Sequence, residues 1–484
     1  MLDLRPVLFS VGVLSAILGL TMLIPAALDA ADGNDDWQVF ALSALLTLFV
    51  ATAIMLATGL PPERGMRVRQ AFLMTSLSWT LLAAFAALPF SFSGLGLSYV
   101  DGYFEAVSGL TTTGSTVIVG LEKLPRGLLL WRAMLQWLGG VGIIVVGIAI
   151  LPFLRVGGMQ LFRAESSDRS EKALPRAAQV ASAITTIYVT LTLACIAAYW
   201  AAGMSFFDAV CHAFATISTG GYANYDSSFA AFDSPLIEWI CILFMLLGTV
   251  TFTLYVLAAR GRPGALWSDA QVRMLLALVL LASLALAAWR LGGEADLGLH
   301  QALRSAFFSV VTVVSTTGFV TEDYSAWGGF AMLLFFILLF SGGCTGSTSG
   351  GVKLFRFAVL FGAMRRQFFR LTHPHAVHAT TFNGVPVPDS VVSAVLGFFF
   401  LYGVTVFAVA LGLGLMGLDF VTALSGAATA VGNVGPGLGP SIGPAGNFAD
   451  LPDAAKVLLS FAMLLGRLEL FTILVILTPE FWRA

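Results

Sequence analysis

Four stretches of this chain repeat one pattern of small and hydroxyl-bearing residues: "YFEAVSGLTTTGSTV", "FFDAVCHAFATISTGGYAN", "LRSAFFSVVTVVSTTGFVTED" and "FVTALSGAATAVGNVGPGLG". Each contains a Thr/Ser/Gly or Asn/Gly cluster that itself holds no carboxylate, thiol or imidazole. The chemistry open to such residues is coordination through the backbone. Extended Thr-Gly chain can turn its carbonyl oxygens to one side, and stacked carbonyl rings can replace the hydration shell of a cation. Glycine serves there because it reaches backbone angles that a Cβ forbids. Aligning Gly114, Gly220, Gly318 and Gly435 gives a recurrence of roughly 100–120 residues, the mark of a fourfold internal repeat. The candidate ligands are the carbonyls of Thr111, Thr112, Thr113, Gly114, Ser218, Thr219, Gly220, Thr316, Thr317, Gly318, Asn433, Val434 and Gly435. Without a ring of side-chain carboxylates the site suits a monovalent cation better than calcium.

Such loops need elements that bring them together. Hydrophobic residues make up 58% of the 484 and charged residues 11%, with a mean hydropathy of +0.90, where a soluble domain carries about 25% charge. Apolar runs of roughly 20 residues, long enough to cross a bilayer, fall at about 6–28, 38–60, 70–92, 128–154, 178–202, 235–259, 272–291, 328–360, 391–417 and 455–479. The first is too long for the apolar core of a signal peptide and is read as a true helix. Each of the four repeated stretches opens with an apolar segment of about 10–16 residues, too short to span at 1.5 Å per residue. The unit is therefore span, re-entrant half-helix, glycine loop, span, with the first two spans outside the repeat. This gives an all-α polytopic membrane protein with two N-terminal helices (1–68) and repeats at 69–176, 177–270, 271–388 and 389–484. Irregular backbone at membrane depth is tolerated where it lines a watery cavity or is buried in protein, so the four loops are expected on one axis. Each half-helix ends toward that axis, where its C-terminal partial negative charge favours a cation.

Lys and Arg mark the cytoplasmic side. Arg5, "PERGMRVR", the stretch holding Arg155, Arg163, Arg169, Lys172 and Arg176, then Arg260, Arg262 and Arg273, and Arg356, Arg365, Arg366 and Arg370 all fall on one side if each span crosses once. Both termini lie there. The opposite side carries Glu122, Asp226, Asp233, Glu294, Asp296, Glu322 and Asp323, a field favourable to an arriving cation. A net charge of −2 points to no nucleic-acid partner, and the four cysteines lack metal or disulfide spacing and read as buried small hydrophobes.

Two features lie below the loops. The eighth span is interrupted by "SGGCTGSTSGGVK", which is too glycine-rich for regular helix at about 1 kcal/mol per Gly. It lacks the Gly-Lys-Ser/Thr ending and preceding strand of a phosphate loop. It reads as a broken helix whose polar loop, 341–351, enters the cavity as a gate, with Gly342, Gly343, Thr345, Gly346, Ser347, Gly350 and Gly351 as its residues. The tenth span contains Arg467, expected to face the cavity and repel cations, since a charge near mid-membrane costs roughly 2.5–3.5 kcal/mol. A structural pair with Glu469 is the alternative, although two residues two apart on a helix do not face each other. Other candidates carry plainer readings. "HPHAVH" (His373, His375, His378) reads as a solvated loop rather than a metal site. Glu105, Asp208 and Asp419 are explained by capping or dipole pairing at half-helix starts, and His212 is structural. No catalytic triad, paired carboxylates or dinucleotide fingerprint occurs in a plausible setting, so no enzyme is expected.

The four motifs, the "NVGPGLG" ending and the ten-span layout resemble the Trk/Ktr/HKT superfamily of potassium transport proteins over nearly the whole chain, and the bacterial TrkH type above all. The resemblance implies four covalently joined M1–pore-loop–M2 units of potassium-channel type around one pore. It implies K⁺ uptake through a selectivity filter gated by the intramembrane loop and Arg467. Asn433-Val434-Gly435-Pro436-Gly437 is similar to the potassium-channel signature, and the first filter position is Gly114 where sodium-transporting plant relatives carry serine. It further implies a homodimer in the bacterial inner membrane. A separate cytoplasmic TrkA-type ring would carry the NAD(H) and ATP/ADP sites, leaving no cofactor in this chain beyond K⁺ as permeant ion. A Na⁺-dependent KtrB-like transporter and a proton-coupled alternating-access transporter are the competing functions. The latter expects an ionisable residue at a midplane site, which the loops lack.

Overall fold

The computed structural model describes residues 3–59, 66–149, 173–293, 296–374 and 379–483. Arg155, Arg163, Arg169, Lys172, Glu294, His375 and His378 lie outside the described residues. Among the described residues, seven helices are long and apolar enough to cross a membrane: Arg5–Asp32, Asp36–Thr58, Val68–Phe92, Arg126–Ile144, Gln179–Ala201, Ala270–Gly293 and Asp389–Leu415. The described window of Arg126–Ile144 is 72% buried against 22–39% in the other six, so protein surrounds it while the others turn much of their surface to lipid.

The remaining three expected spans are broken. The eighth divides as anticipated, into Gly329–Leu338 and Leu354–Thr372 around a polar loop. The sixth and tenth were expected to be continuous and are not. Pro235–Thr249 meets Phe252–Ala259 at 92°, and Asp453–Arg467 meets Phe471–Leu477 at 105°. Neither break contains a proline, and the first depends on a distant partner. At the first, the freed Thr249 carbonyl accepts from the Cys344 N–H (3.1 Å) and the Phe252 N–H donates to Gly346 (3.1 Å). The polar loop thus supplies the hydrogen bonds that a bent helix loses, as backbone at membrane depth requires. At the second, Glu469 and Leu470 both take positive φ (64° and 49°).

Four short helices form the half-membrane set: Tyr99–Leu110, Phe206–Ile217, Leu299–Val314 and Phe420–Gly432. Their starts are written locally. Ser98 accepts from the Asp101 N–H (3.1 Å), Ser205 from the Asp208 N–H (3.1 Å), and Asp419 from the Val421 and Thr422 N–H groups (3.0 and 3.1 Å). The third starts at Gly298 with no side-chain cap. Their ends meet the long helices at glycines. A Cβ on Gly139 would come 1.9 Å from the Leu110 carbonyl oxygen, one on Gly466 2.0 Å from that of Val431, and one on Gly248 3.1 Å from that of Ile217. Small residues permit this backbone approach.

A hairpin pairs Thr381–Phe382 with Val385–Pro386 through Asn383-Gly384, both at positive φ (48° and 79°) as a two-residue turn demands. Phe382 packs edge-on against Phe355 (5.1 Å between centroids), and Asn383 bonds the Ala270 N–H and Asp269 at 2.9 Å each.

Candidate functional site

Each half-helix ends in the same cap. Thr112, Thr219, Thr316 and Asn433 take left-handed φ of 51°, 53°, 59° and 53°. Their N–H groups turn back onto Gly109, Thr216, Val313 and Ala430, and those of the next residues onto Ser108, Ala215, Thr312 and Thr429. This is the Schellman arrangement, and it occupies the first two N–H donors of each loop; among the carbonyls that follow, that of Gly220 accepts from Gln136 (2.6 Å) and that of Gly435 from the Ser115 hydroxyl (2.8 Å). Two residues after each left-handed position comes a glycine at positive φ: Gly114 (89°), Gly221 (80°), Gly318 (85°) and Gly435 (112°).

That register corrects the second repeat. Gly221, not Gly220, is equivalent to Gly114, so the corresponding segment is Thr219-Gly220-Gly221. Ser218 corresponds to Thr111 and Ser315 as the capping residue before the left-handed turn. The adjacent glycines of "STGGY" left the register open until the backbone angles set it.

The four segments close into a ring. A Cβ on Gly114 would lie 2.3 Å from the Gly220 carbonyl oxygen, one on Gly221 1.8 Å from that of Thr317, one on Gly318 2.3 Å from that of Val434, and one on Gly435 2.8 Å from that of Thr113. Repeat one thus abuts two, two abuts three, three abuts four, and four abuts one. The carbonyl before each glycine occupies the same place in every repeat. The ring is an all-oxygen backbone site without a carboxylate, of the kind that can receive a dehydrated monovalent cation.

The structure assigns Glu105 a different place from the helix cap expected. It lies mid-helix and buried, its Oε1 accepts from Arg132 Nε at 2.8 Å, and its Oε2 accepts from the Val117 N–H at 3.0 Å. Arg132 also donates to the Ala223 carbonyl (2.8 Å) and sits 4.1 Å from the Tyr222 ring centroid. This pair braces the chain leaving the first and second loops. Asp208 and Asp419 serve the caps as expected. His212 is buried among Tyr225, Phe229, Phe232 and Phe319, its Nδ1–H donating to the Asp208 carbonyl at 2.8 Å. His373 stacks on Phe369, and no His, Cys, Asp and Glu group among the described residues could hold a metal ion.

The 341–353 loop lies against the ends of three half-helices. The Thr348 hydroxyl donates to Ile217 (3.1 Å) and Gly248 (3.0 Å) and receives the Thr219 hydroxyl at 3.2 Å. The Gly350 N–H donates to the Thr316 hydroxyl (2.7 Å) and the Gly351 N–H to the Gly432 carbonyl (2.7 Å). Thr345 donates its N–H to Gln271 and its carbonyl receives the Thr251 hydroxyl, both at 2.8 Å. Gly343 receives the Leu354 N–H at 3.1 Å, Ser347 shares a proton with Ser349 at 2.9 Å, and a Cβ on Gly342 would meet the Gly350 carbonyl oxygen at 2.2 Å. Arg467, 3% exposed, donates Nη1 to the Thr348 carbonyl at 2.8 Å, while its Nε and Nη2 have no partner among the described residues. Glu469 does not pair with it and instead receives Arg356 at 2.5 Å. Lys353 donates to the Ser349 carbonyl. A cavity of about 30 Å³, lined by Gly346, Gly350, Lys353, Arg467 and Glu469, lies beside the loop and holds about one water. Thr348, Lys353 and the Arg356–Glu469 pair were not singled out in the sequence, because their roles rest on contacts across repeats.

A re-entrant, fourfold-repeated loop ring within a bundle of spans defines a membrane protein built to pass ions. The TrkH family of cation transport proteins matches residues 38–483, and the chain belongs to that family. It is 49% identical over 479 residues to the Trk system potassium uptake protein TrkI of Halomonas elongata, covering 99% of this chain and 97% of the relative. It is 40% identical to the Trk system potassium uptake protein TrkH of Escherichia coli K12, covering 98% of each. The crystal structure of the potassium transporter TrkH from Vibrio parahaemolyticus superposes with a TM-score of 0.92 at 37% identity, covering the whole of both chains.

Proposed function

We propose that this chain carries K⁺ into the cell through the four-segment ring. Four repeats, 69–176, 177–270, 271–388 and 389–484, each contribute one quarter, and residues 1–68 flank them. The carbonyls of Thr112, Thr113 and Gly114, of Thr219, Gly220 and Gly221, of Thr316, Thr317 and Gly318, and of Asn433, Val434 and Gly435 are the ligands. The observation that carries this reading is the closed order of contacts between each ring glycine and the carbonyl of the next repeat. Relatives whose names specify potassium uptake support the choice of ion.

The 341–353 loop and Arg467 form the gate. The loop is held beneath the ring by hydrogen bonds to repeats two, three and four, and the arginine places a positive charge where a cation leaves the ring. The chain works in the bacterial inner membrane with both termini in the cytoplasm. It acts as a homodimer with a TrkA-type ring that binds the nucleotides, and this chain itself needs only the permeant ion.

The test is Rb⁺ uptake into proteoliposomes containing the purified chain, with competition by K⁺, Na⁺, Cs⁺ and Li⁺. Inhibition by K⁺ far ahead of Na⁺ and Li⁺ is expected. Uptake that requires external Na⁺ would favour a Na⁺-dependent transporter, and a fixed proton stoichiometry would end the channel-like reading.

A further inference from the structure

At one place the four quarters of the ring differ in kind. The residue ahead of the ring glycine is Thr113, Thr317 or Val434 in three repeats and Gly220 in the second. Two consecutive glycines give that quarter the loosest backbone of the four. The space left by the missing side chain is filled from another element. A Cβ on Gly220 would stand 2.4 Å from Gln136 Cδ and 2.8 Å from its Nε2. Gln136 is fully buried on the helix Arg126–Ala149. Its Nε2 donates to the Gly220 carbonyl at 2.6 Å, and its Oε1 accepts from the Tyr222 N–H at 3.0 Å. Only one orientation of the amide makes both bonds.

The long helices show that this is an exchange and not an isolated contact. Gly139, Gly248 and Gly466 each abut a carbonyl in the last turn of a half-helix, those of Leu110, Ile217 and Val431. Three residues before them stand Gln136, Met245 and Met463, all buried. Gln appears on the helix beside the Gly-Gly quarter, and Met at the same position on the helices of the second and fourth repeats.

We propose that Gln136 is a positioning residue for ion preference: it stands in for the side chain that Gly220 lacks and holds the Gly220 carbonyl in the ring. This rests on reading the ring as the conduction filter. The two hydrogen bonds of one rigid amide restrain a Gly-Gly pair that has no side chain of its own to anchor it. Without them the ring loosens on one side, and a smaller cation no longer meets a ring of fixed radius.

The test compares the full chain with Gln136→Met, Gly220→Thr and the double variant in proteoliposomes, together with thermal unfolding in detergent. The readout is the ratio of Na⁺ to K⁺ concentrations that halve Rb⁺ uptake. Gln136→Met should lower that ratio about fivefold, the scale of one hydrogen bond. Gly220→Thr alone should lose uptake through collision with the Gln136 amide. The double variant rebuilds the Met–Thr combination and should recover a ratio near that of the parent. Gln136→Met with an unchanged ratio overturns the proposal, including the case in which only its thermal stability falls. If that variant does not fold, a double variant no better than Gly220→Thr overturns it equally. Absence of K⁺-selective uptake by the parent chain would instead overturn the filter reading, so the two failures are told apart.

Discussion

Three β-branched residues, Thr112, Thr219 and Thr316, hold left-handed backbone, a conformation that costs an L-residue about 1–2 kcal/mol. Such strain persists where surrounding contacts over-determine it, and here the contacts are visible. The Thr219 hydroxyl meets Thr348, that of Thr316 receives Gly350, and the Asn433 amide donates to Thr113 Oγ1 (3.0 Å) and the Met463 carbonyl (2.9 Å). The ring glycines obey two demands at once, positive φ and close approach, and the two can be separated by experiment. Gly221 combines φ of 80° with a carbonyl 1.8 Å from its absent Cβ, whereas Gly203 has φ of 108° and open space. Gly221→Ala should abolish Rb⁺ uptake. Gly203→Ala should lower thermal stability by about 1 kcal/mol and leave uptake intact.

At the scale of elements, the inner helices of repeats two, three and four are all broken near the same depth, and the polar loop of the third satisfies the freed backbone of the second. Loop and break therefore form one unit. Arg467 touches that unit through Thr348, and the proposed gate makes its charge a barrier to a cation. Arg467→Ala should raise Rb⁺ flux, and unchanged flux in a folded variant would end its role as a barrier. Deleting 343–350 should leave a leakier ring; abolished conduction in a folded protein would show that the loop is not a plug. Glu469 has a structural task, since it receives Arg356, which also lies 3.7 Å from the Phe398 ring centroid. Glu469→Ala removes the carboxylate that faces a buried guanidinium and should destabilise the protein by about 3–5 kcal/mol, read as a lowered unfolding temperature.

Across the whole molecule, the outer acidic residues do less for ion entry than their number suggests. Asp32 is paired with Arg126 and Glu322 with Arg290. Asp226 accepts the Gly120 and Leu121 N–H groups, and Glu122 accepts that of Asp226. They tie the outer loops together, and two of them are neutralised by arginine. Long-range steering shows itself as a strong dependence on ionic strength. The initial rate of Rb⁺ uptake at fixed Rb⁺ should therefore change less than about twofold between 20 and 200 mM of an impermeant salt; a tenfold fall would restore the steering role.

The sequence by itself determined the membrane class, the four half-helices, the interruption at 341–351 and the exceptional Arg467. These follow from local properties: apolar run length, glycine content, a charge in oil. It also carried the family, because the loop motifs recur along most of the chain. Tertiary structure alone decided the rest. Periodicity cannot choose between Gly220 and Gly221, because both are glycine and only the left-handed turn at Thr219 sets the register. The breaks at 250 and 468 carry no proline, since their lost hydrogen bonds are supplied by a loop about 100 residues away or by the local turn at Glu469. Glu105 near a helix start resembles a dipole partner until Arg132, 27 residues later, is seen beside it. Gln136 reads as one polar residue in an apolar span until the fold sets its amide in the space that Gly220 leaves. At the first break and at Gln136 the deciding energy lies in a contact between repeats, and such contacts exist only once the ring has closed.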